Sequence, residues 1–136
     1  MTEKMEHFSI YVVEDDAAVL KSLCALLSSH GHDTIPCSSA EHFLQVFEPD
    51  LKACLILDLR LPGMSGIQLQ NHLTDNGILI PTVVITAHGD VPVAVKAMRA
   101  GAIDFIRKPA SQEQILEAVG LVSSLLFNRQ PPIVSK

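Results

Sequence analysis

The chain has 136 residues, a formal net charge of −5 and 48% hydrophobic residues. That length suits one domain burying roughly two-thirds of its unfolded surface, and the acidic balance argues against a general grip on nucleic acid. No apolar stretch approaches the roughly 18 residues needed to span a bilayer, and Met1-Thr2-Glu3-Lys4 does not open a signal peptide, so a cytoplasmic protein with no membrane contact is expected.

The first apolar run, residues 8–13, predicts a strand whose Ile10-Tyr11-Val12-Val13 leads into Glu14 and Asp15. A helix over 16–29 follows, with Leu20, Leu23 and Leu27 on one stripe, Asp16 as N-cap and Gly31 just past its end. His30-Gly31-His32 looks like a metal dipeptide but stands where a helix ends, and it is read as a turn. Residues 33–37 predict a second strand and 39–48 a second helix, for which Ser38 and Glu41 have capping-box spacing. Cys54-Leu55-Ile56-Leu57 carries a third strand, 53–58, ending on Asp58, and a helix over 65–75 follows. Thr82-Val83-Val84-Ile85 builds a fourth strand, 81–86, ending on the Thr86 hydroxyl. His88-Gly89-Asp90 then supplies the loop and N-cap of a helix over 91–100. Residues 103–107 predict the fifth strand, with Lys108 beyond it.

The last helix is expected over 112–126, with Ser111 and Gln114 at capping-box spacing and Ile115, Val119, Val122 and Leu126 on its buried face. Arg129-Gln130-Pro131-Pro132 cannot extend it. Residues 1–126 therefore read as one domain and 127–136 as a C-terminal tail or the start of a linker. Cys24, Cys37 and Cys54 are odd in number and form no Cys-x-x-Cys pair, so free thiols are expected.

Continuous apolar runs alternating with helical patterns describe an α/β fold around a parallel sheet, whose sites form along the carboxyl edge of the strands. That edge would gather Glu14, Asp15, Asp58, Thr86 and Lys108 in one crevice. Two carboxylates about 4 Å apart repel by on the order of 4 kcal/mol at an effective dielectric near 20, so three of them call for a cation. Hard oxygen ligands with room for water and phosphate suit Mg²⁺. A carboxylate is already a nucleophile at neutral pH, and Asp58, on the central strand, is the best placed. Lys108, Thr86 and nearby backbone N–H groups could neutralise an incoming phosphoryl group. Taken singly, each feature has an ordinary explanation: an acidic helix start, a turn before Leu61-Pro62-Gly63, a solvated lysine, a helix cap. Their recurrence on successive strands of one sheet is what points to a site.

Val13-Glu14-Asp15-Asp16, Leu57-Asp58-Leu59-Arg60-Leu61-Pro62-Gly63-Met64-Ser65-Gly66, Ile85-Thr86-Ala87-His88-Gly89-Asp90 and Asp104-Phe105-Ile106-Arg107-Lys108-Pro109 together resemble the bacterial response-regulator receiver domain over about residues 8–126. The resemblance implies a doubly wound, flavodoxin-like sheet of five parallel strands in order 2-1-3-4-5 with five helices; a chemotaxis receiver is a standard example of that topology. It implies that Asp58 accepts phosphate from a sensor histidine kinase. Glu14, Asp15, Asp58 and the backbone carbonyl of Arg60 would bind Mg²⁺ or Mn²⁺. Thr86 would be the switch hydroxyl, Ala87 and Lys108 would meet the phosphate, and Phe105 would be the switch aromatic. Such a domain transfers phosphate to itself but is not otherwise an enzyme.

Three positions depart from the commonest pattern: Glu14 for Asp, Phe105 for Tyr, and Ala110 where Phe often follows Lys-Pro. The His88-Gly89-Asp90-Val91-Pro92 segment looks like the FixJ-type transcription regulators and also like activators of the alternative sigma factor. DNA would then be reached only through an output domain absent from this chain. The alternative is a stand-alone receiver, or a pseudo-receiver acting as an interaction module. A haloacid-dehalogenase-type phosphatase is disfavoured because Arg60 stands where a second acid is needed. A flavodoxin-like electron carrier is disfavoured because Glu14-Asp15-Asp16 would repel its phosphate. Phosphorylation-dependent homodimerisation is expected through Val91, Val95 and Met98, flanked by Lys96, Arg99, Asp104 and Arg107; the competing reading packs the apolar members inward.

Overall fold

Three apolar segments are buried at every residue and so can only be interior strands: β1 (Ser9–Val13), β3 (Ala53–Leu57) and β4 (Thr82–Thr86). Two segments with exposed positions flank them, β2 (Asp33–Cys37) and β5 (Ala102–Arg107). The computed structural model describes residues 7–127, in which these strands pair in parallel in the order β2-β1-β3-β4-β5. The expected sheet is therefore the observed one. The expected continuation of the tail as a linker over 128–136 lies outside the described residues.

Five helices cross between strands: α1 (Ala17–Ser29), α2 (Ala40–Val46), α3 (Gly66–Asp75), α4 (Val91–Arg99) and α5 (Gln112–Leu126). Alternation along each interior strand sends successive side chains to opposite faces. Ile10, Val12, Cys54, Ile56, Val83 and Ile85 pack with Leu23 and Leu27 of α1 and Ile115, Val119 and Val122 of α5. Tyr11, Val13, Leu55 and Leu57 face the other way, against Phe43 of α2 and Leu69 and Leu73 of α3. A smaller cluster of Leu59, Val84, Ala97 and Ala102 lies under α4. Full burial of each aliphatic side chain contributes about 1.5–3 kcal/mol, so the two large clusters set the stability.

The helix starts follow the side chains at their caps. Asp16 accepts the N–H groups of Ala18 and Val19, Asp90 accepts that of Val93, and Ser111 with Gln114 forms the expected capping box. Ser38 and Glu41 do not form one. Ser39 is the N-cap of α2 and accepts the His42 N–H, while Glu41 accepts the Met64 N–H at 2.8 Å, after β3. Ser65 and Gln68, which stand at the same spacing, form a full box at α3. The second helix also stops at Val46, two residues short of the expected end, because Pro49 favours extended backbone before it. There the Tyr11 hydroxyl accepts the Glu48 N–H. All three cysteines are free, and burial pushes the Cys54 thiol up to about 12.

Candidate functional site

The hydrogen-bond ladder runs one residue past the ends of the strands, and those extra residues are the candidate site residues. The Asp58 N–H donates to the Val13 carbonyl at 3.0 Å, the Glu14 N–H to the Cys37 carbonyl at 3.0 Å, and the Lys108 N–H to the Thr86 carbonyl at 2.9 Å. Each side chain therefore leaves a backbone already clamped to its neighbour. A register shift of one residue near Thr82 and Val83 sets Arg107 opposite Thr86, so Lys108 comes next over the sheet edge.

The crevice joins the three expected carboxylates. One carboxylate oxygen from each of Glu14, Asp15 and Asp58 lies within 4.8 Å of the other two, with Glu14 and Asp58 buried and Asp15 exposed. Lys108 Nζ donates to Glu14 Oε1 at 2.6 Å and to Asp58 Oδ2 at 3.1 Å. Glu14 Oε2 accepts the Asp16 N–H at 3.0 Å, and Asp58 Oδ1 accepts the Arg60 N–H at 3.2 Å. Burial raises the Glu14 carboxyl above its usual range despite the Lys108 bond, helped by the charge of Asp58. Burial acts on Asp58 in the same direction, but the Thr86 hydroxyl and the Lys108 ammonium outweigh it and hold Asp58 below the usual range. The result is one carboxylate kept ionised beside another kept under electrostatic load. Three carboxylates and one ammonium leave two uncompensated negative charges, the requirement of a hard divalent cation.

The remaining residues frame this crevice. Thr86 is fully buried, and its hydroxyl accepts the His88 N–H at 3.2 Å. Phe105 is partly buried. Gly89 lies against the Phe105 ring so closely that a Cβ there would fall 2.5 Å from Cε1 and Cζ. A Cβ at Gly66 would likewise fall 2.5 Å from the Asp58 carbonyl oxygen. Glu41, bound to the Met64 N–H, ties α2 to the loop that follows Asp58. Gly66 and Gly89 stand inside the motifs after Asp58 and Thr86, whereas the Glu41 partner lies 23 residues away and has no local signal.

Arg60, Ala87, His88, Asp90, Phe105 and Arg107 line a cleft of about 760 Å³ beside the crevice. Of the residues expected at an interface, Val91 (75% exposed), Val95 (42%) and Met98 (44%) turn to solvent and not inward. Lys96, Arg99 and Arg107 are exposed beside them, and Asp104 is half-buried, accepting the Phe105 N–H.

Comparison with known proteins agrees with this geometry. Residues 10–120 match the response regulator receiver domain family. The chain is 46% identical over 123 residues to the transcriptional regulatory protein FixJ of Rhizobium meliloti, covering 90% of this chain and 60% of that protein. It is 43% identical over 118 residues to nodulation protein W of Bradyrhizobium diazoefficiens, covering 87% of this chain and 52% of the relative. It thus spans about half to three-fifths of the length of these relatives. The crystal structure of FixJ-N superposes with a TM-score of 0.81 at 42% identity, covering 97% of this chain and all of that one. The response regulator StyR gives 0.84 at 43% identity, over 90% of this chain and 62% of that chain.

Proposed function

The chain belongs to the response-regulator receiver family, and from that premise we propose that it takes a phosphoryl group from a sensor histidine kinase onto Asp58 and switches a surface that controls transcription through an output domain. The observation that carries this reading is Lys108 Nζ bridging Glu14 and Asp58 beside Asp15. In the transfer, an Asp58 carboxylate oxygen forms a bond to phosphorus while the bond from phosphorus to the donor's imidazole nitrogen breaks. The electron pair of that bond leaves with the nitrogen. Glu14, Asp15, Asp58 and the Arg60 carbonyl would hold Mg²⁺ or Mn²⁺, which supplies neutralising charge to the phosphoryl oxygens. Lys108 supplies the protein's own positive charge, and the Ala87 backbone and the Thr86 hydroxyl stand ready as donors on the opposite side.

The phosphoryl group adds about −1.5 to −2 charge at the sheet edge. The Thr86 hydroxyl then turns the hydrogen it gives Asp58 to a phosphoryl oxygen, and the Phe105 ring moves into the space left. The α4–β5–α5 face changes with it and pairs two copies through Val91, Val95 and Met98, with Lys96, Arg99, Asp104 and Arg107 at the rim. Among the described residues, no helix is long and apolar enough to cross a membrane.

Incubation with Mg²⁺ and acetyl phosphate, followed by intact-mass analysis, tests the first step. One phosphoryl group on the wild-type chain and none on Asp58→Asn is the expected result. Equal labelling of both would refute Asp58 as the acceptor, and no labelling of either would leave a docking module.

A further inference from the structure

Helix α4 has the fewest fully buried residues of the five. Ala97 is its one buried residue, whereas each of the others buries at least two. Its other inward apolar residue, Val93, is only partly buried, so Ala97 and Val93 together remove little apolar surface from water and apolar packing alone holds this helix weakly. A polar contact adds to that hold. Gln70, on α3, is 3% exposed, and its Nε2 donates to the Ala97 carbonyl at 3.0 Å.

That carbonyl occupies a particular position. Helices α1 and α3 each end at a glycine of positive φ, and two backbone bonds close each end. Gly31 donates to the Ser28 carbonyl and His32 to Leu27; Gly77 donates to Thr74 and Ile78 to Leu73. At α4, Gly101 (φ 111°) donates to the Met98 carbonyl in the same way. The Ala97 carbonyl stands where Leu27 and Leu73 stand in the other two ends, and here a side chain from another helix takes it. The other end of that side chain, Gln70 Oε1, is buried without a hydrogen-bond partner. A buried primary amide ordinarily has both ends satisfied, so this contact is held against a desolvation penalty.

We propose that Gln70 is a latch. Its amide group fastens the C-terminal end of α4 to α3 in the unphosphorylated domain, and its unpartnered oxygen keeps the fastening weak enough to release when Asp58 is modified. The release step rests on the switching reading above; the latch itself does not.

Hydrogen–deuterium exchange of the full chain tests both parts, with Gln70→Met, which keeps the volume and loses the donor, and Gln70→Glu, which sets a carboxylate against the Ala97 carbonyl. In unphosphorylated Gln70→Met, amides at the end of α4 exchange about fivefold faster, the ratio corresponding to one lost neutral hydrogen bond. They exchange faster still in Gln70→Glu, while α1 and α5 stay at the wild-type rate. Unchanged α4 exchange in both variants, or equal acceleration throughout the domain, overturns the latch. In wild-type protein labelled with acetyl phosphate, the same amides accelerate towards the Gln70→Met rate, and labelling Gln70→Met adds nothing further. Labelled Asp58 with α4 protection unchanged overturns the release step. Failure to label Asp58 at all refutes the phosphoacceptor reading and leaves the unphosphorylated result to judge the latch.

Discussion

Lys108→Met removes the ammonium that separates two buried carboxylates while keeping most of the side-chain stem. Glu14 and Asp58 then lose a shared donor that sits 2.6 and 3.1 Å away. Their oxygens lie within 4.8 Å of one another, and at an effective dielectric near 20 two charges at that separation repel by about 3.5 kcal/mol. The two carboxylate side chains are 4% and 8% exposed, so little solvent reaches them to screen the repulsion. We expect the metal-free variant to lose about 2–4 kcal/mol at pH 7, the range for breaking a buried pair from one side, moderated by the partly exposed lysine. In the wild-type protein, burial lowers the Lys108 pKa, but its bonds to Glu14 and Asp58 raise it overall. Its stabilising contribution is therefore complete below the unfolded value and is lost only as the pH rises through that raised one. In the variant Glu14 governs the pH dependence. Burial already raises its carboxyl, and an acid raised in the folded state favours folding at low pH and opposes it as the pH rises. The deficit should shrink between pH 7 and about 4.5. Mg²⁺ should shrink it as well, because removing the Lys108 ammonium strengthens cation binding, and at saturating metal each tenfold gain in the variant's affinity over wild type returns about 1.4 kcal/mol. Urea unfolding followed by circular dichroism, in EDTA and in Mg²⁺, at pH 7 and pH 5, measures each difference. An equal deficit in EDTA and Mg²⁺, or one that grows on acidification, would refute the electrostatic account.

Asp15→Ala should weaken Mg²⁺ binding far more than Asp16→Ala, which instead should cost about 1 kcal/mol of stability through loss of the α1 cap; titration of Mg²⁺ into each variant, with parallel unfolding, separates the two. Glu14→Gln should stabilise the metal-free domain at pH 7, since the charge that burial opposes is gone, yet weaken Mg²⁺ binding; a variant less stable in EDTA would contradict this sign. Gly89→Ala should displace the Phe105 ring, which a Cβ would meet at 2.5 Å, and methyl and ring NMR shifts around Thr86 and Phe105 should move in the unphosphorylated protein. Arg107→Glu should leave Asp58 labelling nearly unchanged while weakening phosphorylation-dependent association, read by sedimentation; a labelled wild-type chain that stays monomeric at high micromolar concentration would sink the dimer.

Interior strands were legible because burial on both faces writes them as unbroken apolar runs, and β1, β3 and β4 end within a residue of where those runs end. The crevice was legible for the same reason. Its residues sit immediately after the runs, so the parallel order of the strands brings them together without any contact having to be known. Helix caps were less secure where two candidates adjoin. Ser38 and Ser39 are the same residue type, and only the extended backbone of Ser39 followed by the first helical turn shows which one caps α2. Glu41, freed from that role, reaches the Met64 N–H across 23 residues, a distance no local pattern encodes.

Gln70 is the intermediate case. Gly66, Leu69, Gln70 and Leu73 are the buried residues of α3, and their spacing is that of one helical face, so the sequence places an amide on an otherwise apolar stripe. A polar group there must find a partner or be costly, and the helical spacing alone is enough to raise that demand. The identity of the partner, the Ala97 carbonyl, follows only from how α4 lies beside α3. The composition of α4 explains why that contact matters. Val91, Val95 and Met98 face solvent, which leaves Ala97 and the partly buried Val93 to pack against the sheet. A helix with this division of side chains is held mainly by Ala97, the partly buried Val93 and one borrowed hydrogen bond, and it can shift without disrupting either of the large clusters that keep the domain folded.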